Sequence, residues 1–143
     1  MNNQTSNHIS IIGGAGHVGL PLGLAFASKN FKIHLIDKDK RALKNIEENK
    51  MPFLEIGAKK LLQKANKKKL FFYENDISNI SKSKYIIICI GTPIDKKLKP
   101  DLVGFYKLKK KLKNRINKNQ ILVVRSSVLP GTKKKKKKIL KNK

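Results

Sequence analysis

The chain reads as an α/β protein built on an open, mostly parallel sheet. Short β-rich apolar runs alternate with segments of helical spacing through the first 125 residues. A glycine-rich turn separates the first apolar run from the segment that follows it. One run, residues 85–90 (YIIICI), is apolar without interruption, as expected of a strand covered on both faces.

Taken in order, residues 8–12 (HISII) predict a first strand ending in glycines, and Val18, Leu22, Ala25 and Phe26 place a helix after it. Asn30 is suited to a left-handed helix end. Residues 31–36 (FKIHLI) alternate apolar and polar before Asp37 and predict a second strand. Two helices are expected next, within 39–49 (Ala42, Leu43, Ile46) and 55–65 (Ala58, Leu61, Leu62), separated at Met51-Pro52. Residues 70–73 predict a third strand, 76–83 a short helix capped by Asp76, and 85–90 the fourth strand. From Asp101, an expected N-cap, the apolar positions Leu102, Phe105, Leu108, Leu112 and Ile116 predict a helix of about four turns. Residues 121–124 close the series as a fifth strand. Right-handed crossovers then give a Rossmann-type, doubly wound sheet of order 3-2-1-4-5 with helices on both faces.

Length and charge bound the function. At 143 residues the chain suffices for one domain with a real core. It carries 34 Lys plus Arg against 9 Asp plus Glu, a formal net charge of +25. Such a balance first suggests nucleic acid. Yet only Arg41, Arg115 and Arg125 are arginines, whereas sites that grip phosphates or bases favour the guanidinium fork. The abundance of Lys, Ile and Asn points instead to an A/T-rich gene, and no specific nucleic-acid partner is expected. No apolar stretch approaches the roughly 20 residues that span a bilayer, and no secretory signal is visible, so a cytoplasmic protein without a membrane partner is expected. One cysteine, Cys89, allows no intrachain disulfide, and His8, His17 and His34 lack ligand spacing in the sequence. No metal is expected.

Gly14-Ala15-Gly16-His17-Val18-Gly19 is a GxGxxG between strand and helix. Its first glycine permits the tight turn, its second lets the backbone approach a pyrophosphate, and its third lets the helix pack closely. Asp37 ends the next strand, 18 residues after Gly19. A carboxylate there accepts bonds from both adenosine ribose hydroxyls and repels a 2′-phosphate, favouring NAD over NADP, a preference that Lys38, Lys40 and Arg41 blunt. Gly91-Thr92-Pro93 after the fourth strand, and 126–132 (SSVLPGT) after the fifth, bring hydroxyls to the same sheet edge. Cys89, inside the most apolar strand, is expected to be an inert core thiol. His17 is expected in the first helical turn beside the cofactor, without an acid–base role. Glu55 is expected to complement the dipole of the helix that follows it.

In this order the blocks IIGGAGHVGLPLGLAFA, HLIDKD, MPFLEIG, CIGTPID with KPDL, and VVRSSVLPGT resemble the N-terminal domain of the UDP-glucose/GDP-mannose dehydrogenase family over about residues 9–132. The resemblance implies NAD as cofactor, a nucleotide-sugar substrate, oxidation of its C6 alcohol to a uronic acid, and a homo-oligomeric complete enzyme. It implies that Gly14, Ala15, Gly16, His17, Val18, Gly19 and Asp37 hold the pyrophosphate and adenosine ribose, with Arg41 near the adenosine. Gly91, Thr92, Pro93, Ser126 and Ser127 would line the nicotinamide end. Ser127 stands where the family has a threonine whose hydroxyl helps position the reacting centre, so it keeps a supporting hydroxyl. The family's nucleophilic cysteine, which holds the intermediate aldehyde as a thiohemiacetal, has no counterpart in these residues.

The expected organisation is an NAD-binding domain over 8–132 and a Lys-rich, disordered tail over 133–143 that marks a reading-frame slip in an A-rich tract. The function expected is that of a nucleotide-sugar dehydrogenase's cofactor half, inactive alone. Two alternatives stay open, a non-catalytic dinucleotide-binding module or subunit, and a basic nucleic-acid-binding protein.

Overall fold

A computed structural model describes residues 7–91 and 103–126. Five parallel strands, β1 (His8–Ile12), β2 (Lys32–Ile36), β3 (Phe71–Glu74), β4 (Tyr85–Ile88) and β5 (Ile121–Val124), form one sheet of order β3-β2-β1-β4-β5. The expected doubly wound topology is what the chain adopts. Its helices are α1 (Gly19–Ser28), α2 (Lys40–Glu47), α3 (Ala58–Lys67) and α4 (Val103–Lys113), with a 3₁₀ turn at Ile80–Lys82. None of the described helices is long and apolar enough to cross a membrane.

The sheet separates two cores. On the first face Ile9, Ile11, Ile33, Leu35 and Phe71 meet Leu20, Leu24 and Ala27 of α1, Leu43 and Ile46 of α2, and Leu62 and Ala65 of α3. On the second face Ile12, Ile36, Ile86 and Ile88 meet Ile77, Ile80, Phe105 and Leu112. Period-2 alternation along β1 sends Ile9 and Ile11 one way and Ser10 and Ile12 the other. β2 is buried on both faces, for His34 on its polar side is buried as well.

Helix ends follow local chemistry. α1 stops at Asn30, which takes the expected left-handed conformation (φ 63°). The Asp39 carboxylate caps α2 by accepting the Ala42 amide at 2.9 Å. Three expectations need correction. The helix expected over 76–83 is only the 3₁₀ turn at Ile80–Lys82, because the Asp76 carboxylate accepts the Ser78 amide at 2.7 Å and closes a turn there. The fourth strand ends at Ile88, two residues early, and its last carbonyl accepts the amides of both Arg125 and Ser126. α4 ends at Lys113, and Ile116 packs on the second core from beyond it. The proposed cap Asp101 and the segments 127–132 and 133–143 lie outside the described residues.

Candidate functional site

The sheet's C-terminal edge is shaped first by a glycine that the GxGxxG reading passed over. Gly13 has φ +81°, and a Cβ there would lie 2.8 Å from the Cys89 carbonyl oxygen. Its amide and that of Gly14 both donate to Ile36 O, at 2.9 and 3.1 Å, so the turn is tied to the end of β2. The doublet Gly13-Gly14 was the available signal. Gly14 is tight against Ile11 and Leu35, and a Cβ on Gly19 would fall 2.1 Å from Gly13 O, which makes a side chain there impossible without moving the helix off the turn. At Gly16 a Cβ would find only Gly13 O, at 3.4 Å, so this side of the turn is open.

The amides around that opening are available. Gly16 donates to Gly13 O and Leu20 to Gly16 O, whereas those of His17, Val18 and Gly19 have no acceptor among the described residues. They are the orphan donors of the α1 N-terminus. Three N–H groups at a helix N-terminus, beside a position with no side chain, suit a phosphate oxygen. The helix begins at Gly19, so His17 lies in the turn before it and not in the first helical turn.

Asp37 closes the other side. Its Oδ2 accepts the Ala15 amide at 3.1 Å and its Oδ1 the Asp39 amide at 3.1 Å. A carboxylate offers about four lone-pair positions, so each oxygen keeps one for a ligand hydroxyl. Arg41 is exposed on the first turn of α2, four residues on. Glu55 does not serve its expected role: α3 starts at Ala58 after Gly57 (φ +79°) and has no acid in its first turn.

At the neighbouring strand ends no described residue lies within 4 Å of a Cβ added at Gly91. The Ser126 hydroxyl donates to Ile90 O at 2.7 Å, so its single hydrogen is engaged in holding the β4 exit. Thr92, Pro93 and Ser127 lie outside the described residues. Cys89 is half-buried just past β4, less enclosed than its place in the apolar run suggested, and burial pushes its thiol up from the ordinary value.

One polar assembly was invisible in the sequence. On the second sheet face His8 Nδ1 lies 2.9 Å from His34 Nε2, and His34 Nδ1 lies 2.7 Å from Glu74 Oε1. Phe72 stacks on His34, and Ser10 donates to Ser83 at 2.8 Å nearby on β1. These partners are 26, 40 and 73 residues apart, so only the register β1-β2-β3 and the β4 approach unite them. Burial, then His34, Lys32 and Lys82, hold His8 below the ordinary histidine value. A broad hollow of about 590 Å³ lined by Asp76, Ile77, Ser78, Lys111, Asn114 and Arg115 lies away from the glycine turn. Its Asp76, lowered chiefly by Ser78 and also by Arg115 and Lys111, offsets the cations there.

The sequence profile described as the UDP-glucose/GDP-mannose dehydrogenase family, NAD binding domain, matches residues 7–143. The chain is 31% identical over 88% of its length to Protein CapL of Staphylococcus aureus, and 31% identical over 87% to the UDP-glucose 6-dehydrogenase TuaD of Bacillus subtilis. It spans 28% and 27% of those relatives. Among solved structures, the GDP-mannose dehydrogenase of Pseudomonas aeruginosa superposes with a TM-score of 0.81 at 28% identity, over 87% of this chain and 29% of that one. A UDP-D-ManNAc dehydrogenase of Pyrococcus horikoshii shares the fold, with a TM-score of 0.85 at 22% identity over 94% of this chain and 32% of that one.

Proposed function

The chain belongs to the UDP-glucose/GDP-mannose dehydrogenase family and matches its NAD-binding domain, and from that premise we propose which residues hold the dinucleotide and what these 143 residues can do. Gly14, Ala15, Gly16, His17, Val18 and Gly19 receive the pyrophosphate, Asp37 the adenosine ribose, and Arg41 flanks the adenosine. Gly91, Thr92, Pro93, Ser126 and Ser127 border the nicotinamide. Ser126 does so as a positioning residue, since its hydroxyl hydrogen is engaged with Ile90 O. The observation that carries the assignment is the juxtaposition of three amides without an acceptor among the described residues, beside the open Gly16, with a carboxylate that already grips Ala15.

NAD, when bound, supplies the hydride acceptor. The complete enzyme oxidises the C6 alcohol of a nucleotide sugar to the acid, which takes two hydride transfers and a nucleophile to hold the intermediate. Cys89 is the sole cysteine of these 143 residues, and its half-buried, raised thiol at the sheet edge is poorly suited to attack. These residues therefore bind NAD without turning over. Calorimetric titration tests the assignment: NAD binds the chain, NADP binds it more weakly, and Asp37→Ala weakens NAD roughly a hundredfold or more, the scale of losing two hydrogen bonds to a charged group. Equal affinity in Asp37→Ala would remove Asp37 from the site. NADH accumulating at enzyme-like rates with UDP-glucose would overturn the claim of no turnover.

A further inference from the structure

Residues 51–57 link α2 to α3 and bring the chain back to the glycine turn. The loop carries four large apolar side chains, and they divide. Met51 and Phe53 pack onto the first core, while Leu54 and Ile56 are 97% and 98% exposed. The Phe53 ring lies nearly parallel to the imidazole of His17, with centroids 4.1 Å apart and planes 18° apart. His17 is otherwise exposed. The stack is thus a tether between the α2–α3 loop and the turn that precedes α1.

His17 is the first of the three residues whose amides have no acceptor among the described residues. It follows Gly16, whose backbone has the widest freedom of any residue and whose surroundings are open. The Gly16 carbonyl accepts the Leu20 amide at 3.0 Å and the Val18 carbonyl the Leu22 amide at 3.3 Å, so the peptides that carry the His17 and Gly19 N–H groups are held, whereas the His17 carbonyl has no donor among the described residues because Pro21, one helical turn on, has no N–H. A ring held on the His17 side chain restrains that remaining peptide, between His17 and Val18, at the entry to α1.

We propose that Phe53 is a positioning residue for the pyrophosphate: by clamping His17 it pre-orders the Val18 amide alongside those of His17 and Gly19, which the helix already holds, before the anion arrives. This rests on the dinucleotide reading of the glycine turn. The clamp acts on the phosphate-binding amides and leaves the Asp37 carboxylate, held by Ala15 and Asp39, untouched. Its benefit is affinity through preorganisation, on the scale of one aromatic contact.

The test compares three ligands on the 143-residue chain, namely NAD, ADP-ribose and adenosine, titrated by NMR against the parent, Phe53→Leu, Phe53→Tyr and Asp37→Ala. Leucine keeps the apolar packing and removes the ring; tyrosine keeps the ring. Phe53→Leu is expected to weaken NAD and ADP-ribose roughly three- to tenfold while adenosine is unchanged, and to move the His17 ring protons toward their free-imidazole positions. Phe53→Tyr restores both. The proposal is overturned if Phe53→Leu leaves ADP-ribose affinity unaltered, or if adenosine weakens as much as ADP-ribose, the mark of a general loosening. Asp37→Ala separates the two claims: weakened adenosine with unaltered Phe53→Leu sinks the clamp alone, and unaltered adenosine in Asp37→Ala sinks the dinucleotide reading beneath it.

Discussion

The two faces of the sheet are built from the same strands on different principles. The first is covered by α1, α2 and α3 and held by apolar packing throughout β1 and β2. The second mixes an apolar patch beneath α4 with polar lines running between strands, Glu74 to His34 to His8 and Ser10 to Ser83. Packing is tolerant of pH and direction, whereas a buried hydrogen-bonded line is worth keeping only while each member has its partner and its proton. The glycine turn grows out of the first kind of face, where Gly14 presses on Leu35.

The largest effect should come from breaking the packed face. Leu35→Ala removes a fully buried side chain beneath both Gly14 and Gly23 and should cost about 2–5 kcal/mol in chemical denaturation, equally at pH 6 and pH 8. A cost that varied with pH would blur the distinction between the faces. On the second face Ser83→Ala strands the buried Ser10 hydroxyl and should cost about 1–3 kcal/mol. Adding Ser10→Ala should recover part of that loss, and a strictly additive double variant would show that the two hydroxyls are not coupled.

The smallest effect at neutral pH, and the sharpest in kind, concerns His8. Its proton affinity is lowered in the folded chain, so below the ordinary histidine value near 6.5 the unfolded chain binds more protons. Stability from this group is therefore present above about pH 6.5 and falls as pH drops below it. His8→Phe should change stability by about 1 kcal/mol or less at pH 7.5 and should flatten the decline between pH 6.5 and 5. Urea midpoints measured across that range report it. A decline of unchanged slope in the variant would assign the acid sensitivity elsewhere.

Legibility in the sequence divides along the same line. The strand order and the first core were readable because periodicity and the unbroken run at 85–90 are local patterns. The geometry of the glycine turn was readable at Gly14 to Gly19 and Asp37, because a tight turn, a close helix and a strand-end acid each demand a residue type at a fixed place. Gly13 was missed since the constraint on it comes from Cys89, 76 positions away, whose carbonyl leaves no room for a Cβ there. His8, His34 and Glu74 were missed for the same reason in stronger form: neither spacing nor composition states that β1, β2 and β3 will align them. Asp76 misled because an acid two residues before a serine caps a turn as readily as a helix.

The central claim is that a dinucleotide sits on the glycine turn and Asp37. Amide chemical-shift mapping of the 143-residue chain titrated with NAD tests it most directly. The expected result is that Ala15, Gly16, His17, Val18, Gly19 and Asp37 shift most, Phe53 follows, and His34, Phe72 and the lysines of α4 stay in place. Shifts concentrated on Lys107, Lys111 and Arg115, with the glycine turn unmoved, would contradict it.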